Sequence, residues 1–352
     1  MFELFKSLPR VVLVAALVVS GGACRRSDSS GTKKGGHGET TSQVSVAGVR
    51  QADPIAVVAT VGMVADLVRH VGGRHVTVTQ LMGPGVDPHL YKVTRDDVRS
   101  IFAADVIFAS GLMLEGKMSH TLEQLGRRKR VALVADRMAE EGILEPLTEQ
   151  DSAHLDPHAW MDLSIWANVP LMIAEVLAAE SPSLRAEFLA AAESYREALL
   201  ELHAFGQRAL ATVPPVKRHL ITSHDAFGYF GRAYGLQVTG VQGISTDSEA
   251  GLLRVNRLVD LLVDREITAV FVESSVPRKS LEAVIEGAAS RGLAVTIGGE
   301  LYSDSCGPAG TYEGTYMGMM DHNLTLITRA LGGDVPAGGF AGRLAIGGMG
   351  DE

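Results

Sequence analysis

The sequence predicts an α/β protein of two lobes, each a parallel β-sheet flanked by helices, joined by a single long spine helix. Three observations carry that prediction. From Ile55 onward, short β-branched runs alternate with amphipathic segments, the pattern of parallel strands covered by helices. The alternation restarts near His219, after a long helical stretch. Within that stretch Leu184, Phe188, Ala191, Tyr195, Leu199 and Leu202 recur at intervals of three or four and form one apolar stripe.

In the first lobe, 55–60, 76–81, 106–109 and 131–133 read as strands because each is short, apolar and rich in Val and Ile, while 63–71 and 94–103 carry helical spacing. Ser181-Pro182 supplies a cap and a first-turn proline for the spine, and Pro214-Pro215 stops it. About 30 residues at a rise of about 1.5 Å extend ~45 Å, the length of a small two-domain molecule. The same stripe also fits one more packing helix of the second lobe. That lobe has strands at 219–222, 236–241, 269–272 and 294–297, with helices at 252–265 and 279–291 between them. No close sequence repeat links the two lobes. The expected organisation is a leader over 1–24, a tether over 25–51, a first lobe over 52–180, the spine over 181–213, a second lobe over 214–333 and a Gly-rich tail over 334–352.

The leader places Lys6 and Arg10 before the apolar run 11–19, followed by Ser20-Gly21-Gly22-Ala23-Cys24. That is the layout of a secretory signal peptide; the run is shorter than the ~20 residues of a spanning helix, and no later stretch reads as a second candidate. Small residues before a lone cysteine resemble a bacterial lipobox, with Cys24 lipidated, although Gly21 stands where leucine is usual. Ordinary cleavage after Ala23 is the alternative. Either way the chain is expected outside the cytoplasm, as a membrane-anchored lipoprotein or a periplasmic protein. The tether is rich in Gly, Ser, Thr and Lys and too poor in large apolar residues to fold alone, and its His37 reads as a solvated linker residue.

The 352 residues are 46% hydrophobic and 21% charged, enough for a sizeable core, and carry a net charge of −9. Removing residues 1–23, with Glu3, Lys6 and Arg10, leaves the mature chain one unit more negative. This balance lacks the basic excess that displaces counterions from phosphates, so nucleic acid is not expected as a partner. Two cysteines cannot build a disulfide framework.

Three histidines stand in turns or at strand ends: Asp87-Pro88-His89, Asp156-Pro157-His158-Ala159-Trp160 and Thr222-Ser223-His224-Asp225. The carboxyl ends of parallel strands are where ligands bind in such sheets. Asp304, just past the last strand, has the same kind of position, so two residues from each lobe face one interlobe cleft. Neutral imidazoles with one carboxylate suit a divalent transition metal, because imidazole is a borderline donor and the carboxylate offsets part of the charge. Proline fixes the repeated Asp-Pro-His turn, and the nearby aspartate can accept the other ring N–H. A single histidine is more often a satisfied structural residue, and these lack the short spacings of zinc fingers. Pro157 argues against a helix that would place His154 beside His158. His70, His75, His120, His203, His219 and His322 sit in no matching motif and read as structural or surface residues. Glu300 is the rival carboxylate to Asp304, and Cys306 reads as a buried inert thiol, with a soft-metal role as the alternative.

The segments Gly83-Pro84-Gly85-Val86-Asp87-Pro88-His89-Leu90-Tyr91, Asp156-Pro157-His158-Ala159-Trp160, Gly243-Ile244-Ser245-Thr246, Phe271-Val272-Glu273-Ser274-Ser275-Val276-Pro277 and Gly310-Thr311-Tyr312-Glu313-Gly314-Thr315-Tyr316 resemble, in the same order, the manganese, zinc and iron substrate-binding proteins of ABC importers (the cluster A-I, TroA-like family). The resemblance covers about 55–331. It implies the class III binding-protein fold, two α/β lobes on one long helix, with the metal between them. Its ligands fall on His89, His158, His224 and Asp304. It further implies a monomer that captures one Zn2+ or Mn2+ as cargo, an ABC permease and a separate ATPase as partners, and a membrane attachment through Cys24.

No catalysis is required by this reading. The chain has no His-Glu-x-x-His, no phosphate-cradling Gly-rich loop ending in Lys-Ser/Thr and no Gly-x-Ser-x-Gly. The competing readings are a secreted metallohydrolase with Asp304 as general base, and a surface adhesin. Three nitrogens and one carboxylate favour zinc. Manganese comes second, because it prefers more oxygen donors and its family members often have glutamate where His224 stands.

Overall fold

The computed structural model describes residues 53–144, 146 and 155–344. The expected leader and tether, with Cys24 and His37, lie outside the described residues, as do His154 and 345–352. The first half runs β1 (Ile55–Ala59), α1 (Gly62–Gly72), β2 (Val76–Gln80), α2 (Arg95–Ala103), β3 (Val106–Ala109), α3 (Ser119–Leu125), β4 (Arg130–Leu133) and α4 (Val134–Glu140). Its strands are all parallel in the order β2-β1-β3-β4. Next come α5 (Leu163–Trp166), α6 (Val169–Glu180) and α7 (Arg185–Ala211). The second half runs β5 (His219–Thr222), α8 (Gly228–Tyr234), β6 (Gln237–Gly240), α9 (Leu252–Asp264), β7 (Ala269–Glu273), α10 (Lys279–Ser290), β8 (Thr296–Leu301) and α11 (Tyr316–Ala330). It forms a second parallel sheet in the order β6-β5-β7-β8.

The period of two along the strands divides the side chains between two cores. Leu220 and Phe271 point into the main core, whereas Ile221, Val270 and Val272 face Leu258, Val259 and Leu262 of α9 and Leu281 and Val284 of α10. The main core is continuous through both sheets because α7 packs against α1, α5 and α6 on one side and α8 and α11 on the other. The long helix therefore touches elements of both lobes. It begins at Arg185, after a separate 3-10 turn over Pro182–Leu184, and the Ser181 side chain makes no capping bond there.

Two sequence expectations need correction. The last strand is not 294–297 but Thr296–Leu301. Gly298-Gly299 suggested a loop, yet the pair forms a bulge: Val270 faces Ile297 and Phe271 faces Gly299, with Gly298 as the extra residue and Gly299 at φ +145°. The second concerns apolar stretches. Leu163–Glu180 reaches spanning length with a mean hydropathy of 1.3. It is divided between α5 and α6, and Leu163, Trp166, Ile173 and Leu177 are fully buried in the core.

Asp66 of α1 joins the halves. Its carboxylate accepts the Tyr195 hydroxyl of α7 at 2.8 Å and the backbone N–H of Tyr316, at the start of α11, at 3.1 Å. The Tyr316 hydroxyl in turn donates to the Trp160 carbonyl at 2.6 Å. All four residues are buried. Tyr195→Phe should lower stability by about 1–3 kcal/mol, because a buried carboxylate loses a charge-assisted donor. Urea unfolding followed by the fluorescence of Trp160 and Trp166 measures it; an unchanged midpoint would count against this tie.

Candidate metal centre

Four loops carry the predicted residues. His89 lies in the loop after β2, where Asp87 Oδ1 accepts the His89 backbone N–H at 2.9 Å and fixes the Asp-Pro-His turn. The second Asp-Pro-His repeats this device: Asp156 Oδ1 accepts the His158 N–H at 2.9 Å, just before a 3-10 turn over Ala159–Met161. Trp160 of that turn donates its indole N–H to the Ser303 carbonyl at 2.9 Å, tying His158 to the residue preceding Asp304. His224 follows β5, and the Thr222 hydroxyl donates to the His224 carbonyl at 2.7 Å. Gly240 lets the neighbouring strand pass close to this turn, since a Cβ there would lie 2.4 Å from the His224 carbonyl carbon and the Asp225 nitrogen. Asp304 lies three residues beyond β8.

The four predicted residues meet. One donor atom from each lies within 4.8 Å of the others, and all four side chains are buried. His89 Nε2 is 3.3 Å from His158 Nε2 and 3.7 Å from Asp304 Oδ2. His158 Nε2 is 3.4 Å from Asp304 Oδ1, and His224 Nε2 is 3.2 Å from Oδ2. Donors at ~2.0 Å from a tetrahedral ion stand ~3.3 Å apart, so these separations match the edges of such a sphere. His224 Nε2 and both Asp304 oxygens have no hydrogen-bond partner. Buried polar atoms are rarely left so, and three together pointing at one place fit a cation.

Outer carboxylates set the imidazoles. Asp156 Oδ1 lies 2.6 Å from His158 Nδ1 and Glu273 Oε2 lies 2.5 Å from His224 Nδ1. A carboxylate only accepts, so each Nδ1 donates and each Nε2 is left to face the cluster. Burial disfavours the charged rings, but Asp156 and Asp304 outweigh it at His158, whose pKa is pushed up to about 9. Burial is likewise outweighed at His224 by Glu273 and Asp304, which hold its pKa well above the ordinary value. At His89 burial wins, with neighbouring His158 and His224 adding to it against Asp304, and its pKa falls to about 4. Burial raises the Asp304 carboxyl, yet His224 and His158 hold it well below the usual range.

The remaining candidates lie elsewhere. Glu300 is on β8, exposed and paired with Arg278 at 3.1 Å, because the bulge extends the strand past it. The buried Cys306 thiol, its pKa raised by burial, is not in the cluster. His70 stacks on Tyr195, His75 pairs with Glu187, His203 meets Tyr234, and His322 bonds the Glu300 carbonyl. Glu273 had no assigned role from sequence. Its signal was a charged residue ending the apolar strand Ala-Val-Phe-Val-Glu, and register places it: Thr222 pairs with Phe271, so two residues on, His224 meets Glu273.

Residues 57–330 match the family model described as zinc-uptake complex component A, periplasmic. The manganese-binding lipoprotein MntA of Bacillus subtilis is 45% identical over 285 residues, covering 81% of this chain and 92% of that protein. The zinc-binding protein TroA of Treponema pallidum is 41% identical over 278 residues, covering 78% of this chain and 88% of the relative. The solved structure of the Treponema pallidum periplasmic zinc-binding protein TroA superposes with a TM-score of 0.75, covering 79% of this chain and 99% of that one. These relatives are named for metal binding and the family model for zinc uptake, none of them for catalysis. Two parallel sheets on a long helix, buried donors between them and this extent of matching lead to one conclusion: the chain belongs to the zinc-uptake component A (TroA-like) family of substrate-binding proteins of metal ABC importers.

Proposed function

We propose that this protein binds one divalent transition ion as cargo through His89, His158, His224 and Asp304 and delivers it to a permease driven by a separate ATPase. The observation that carries the reading is the convergence of four buried donors with three of their polar atoms unpartnered. Zinc is the favoured ion, since three imidazoles and a carboxylate at tetrahedral spacing complete its sphere. Manganese is second: the two Asp304 oxygens face different histidines, which supports a bidentate carboxylate and a higher coordination number. Four protein donors leave no open position for a hydrolytic water, which weighs against the metallohydrolase reading. The chain acts outside the cytoplasm as a monomer, the lipoprotein names of relatives supporting an anchor at Cys24.

The full mature chain should bind one zinc ion and melt at a higher temperature with it, stability rising as RT ln(1 + [L]/Kd). Elemental analysis gives the stoichiometry and calorimetry the melting shift; zero or two ions per chain would refute the single site.

Affinity should rise with pH as far as about 9. His158, raised to about 9, carries a proton on Nε2 at neutral pH that the ion displaces, and His224, held above its ordinary value by Glu273 and Asp304, acts in the same direction, whereas His89, lowered to about 4, is already neutral. In the ion-free fold the raised His158 pKa contributes stability that is fully present below about 6.5 and is lost as pH rises through about 9. The melting shift produced by zinc should therefore grow between pH 6 and pH 9 (roughly the span from ordinary to raised histidine pKa). Titration calorimetry in buffers of different ionisation enthalpy should show proton release at pH 7; no release would contradict this account.

His224→Glu replaces a nitrogen donor with oxygen and should shift the ratio of zinc to manganese affinity toward manganese. Competition titration of both ions measures the ratio. An unchanged ratio would remove His224 from the proposed ligand set.

A further inference from the structure

Asp87 serves both lobes with one carboxylate. Its Oδ1 accepts the His89 backbone N–H at 2.9 Å, and its Oδ2 accepts the Thr246 hydroxyl at 2.6 Å. Thr246 lies in the loop that follows β6 of the second sheet, between exposed Ser245 and Asp247, yet is itself 9% exposed. Among the described residues this is the only hydrogen bond joining the 241–251 loop to the first lobe.

We propose that the Thr246–Asp87 bond is a latch that holds the lobes together over the ion and sets how fast it leaves, which rests on the metal-binding reading above. The four donor residues are buried, with His89 and His158 on the first lobe and His224 and Asp304 on the second, so an ion cannot leave until the lobes separate. The ties nearest the spine, from Tyr195 and Tyr316 to Asp66, lie deep in the core. The Thr246 tie lies under a surface loop and spans the seam beside His89. Breaking it has a second effect, because the carboxylate it releases is the one that fixes the His89 turn. A hydroxyl on a carboxylate at this length is a charge-assisted bond, stronger than a neutral one. Thr246 is thus a positioning residue: it touches no ion and acts through Asp87.

The test is the rate at which a chromogenic chelator strips zinc from the full mature chain, followed by stopped flow. Thr246→Val keeps the shape and removes the donor, and should release zinc on the order of tenfold faster. Thr246→Ser restores the hydroxyl and should release it within about twofold of the natural protein, a rescue that loop packing alone would not produce. Natural protein that binds zinc while Thr246→Val releases it at the same rate would overturn the latch alone. Equal acceleration by Val and Ser would also overturn it, by assigning the effect to packing. Natural protein that takes up no zinc would overturn the binding reading, and the latch with it.

Discussion

The Asp304 carboxylate has no solvent contact to speak of and faces three imidazoles, with His158 Nε2 at 3.4 Å and His224 Nε2 at 3.2 Å. A buried anion without compensation is strongly unfavourable, and His224 and His158 hold this carboxyl well below its ordinary range, so the cluster favours positive charge opposite it. Protonated imidazoles can do this, and under the proposed function a divalent ion would do it through the same atoms. On the proposed reading, protons and metal would compete for this single electrostatic role. Asp156 and Glu273 make that competition orderly, because by holding Nδ1–H they leave Nε2 as the only atom of each ring that changes partner.

The rest of the structure brings these groups together from distant parts of the chain. Parallel strands end on the same side of each sheet, so the loops after β2, β5 and β8 open toward one region. The long helix α7 gives both sheets a common core, and Asp66 links α1, α7 and the start of α11 within it. Trp160 bonds across to Ser303 and thereby connects the His158 turn to Asp304. The Asp87 turn is joined to the second lobe in the same way by Thr246. Each donor is held by a turn that bonds to its counterpart lobe or to an adjacent strand, which fixes their separation more closely than any loop could alone.

The strand and helix pattern was legible because it is local: a period of two or of three to four repeats within a few residues, and seven of the eight strands lie within two residues of their expected limits. The Asp-Pro-His turns were legible for the same reason, since proline and a following N–H act within three residues. The bulge at Gly298 was not, because a glycine pair looks alike in a turn and in a bulge until the partner strand is known. Chemistry alone left Glu300 and Asp304 as rivals and the family resemblance chose Asp304; pairing to β7 places Glu300 on the strand, where it is exposed.

By itself, then, the sequence determined the residue types able to hold a divalent ion, the alternation that makes two parallel sheets, and the apolar stripe of the helix between them. Only the tertiary structure decided that Glu273 stands behind His224 and that Thr246 reaches Asp87. These depend on strand register and on contacts between segments up to 159 residues apart. The geometry of such contacts is set by the packing of the whole chain, and no local pattern encodes it.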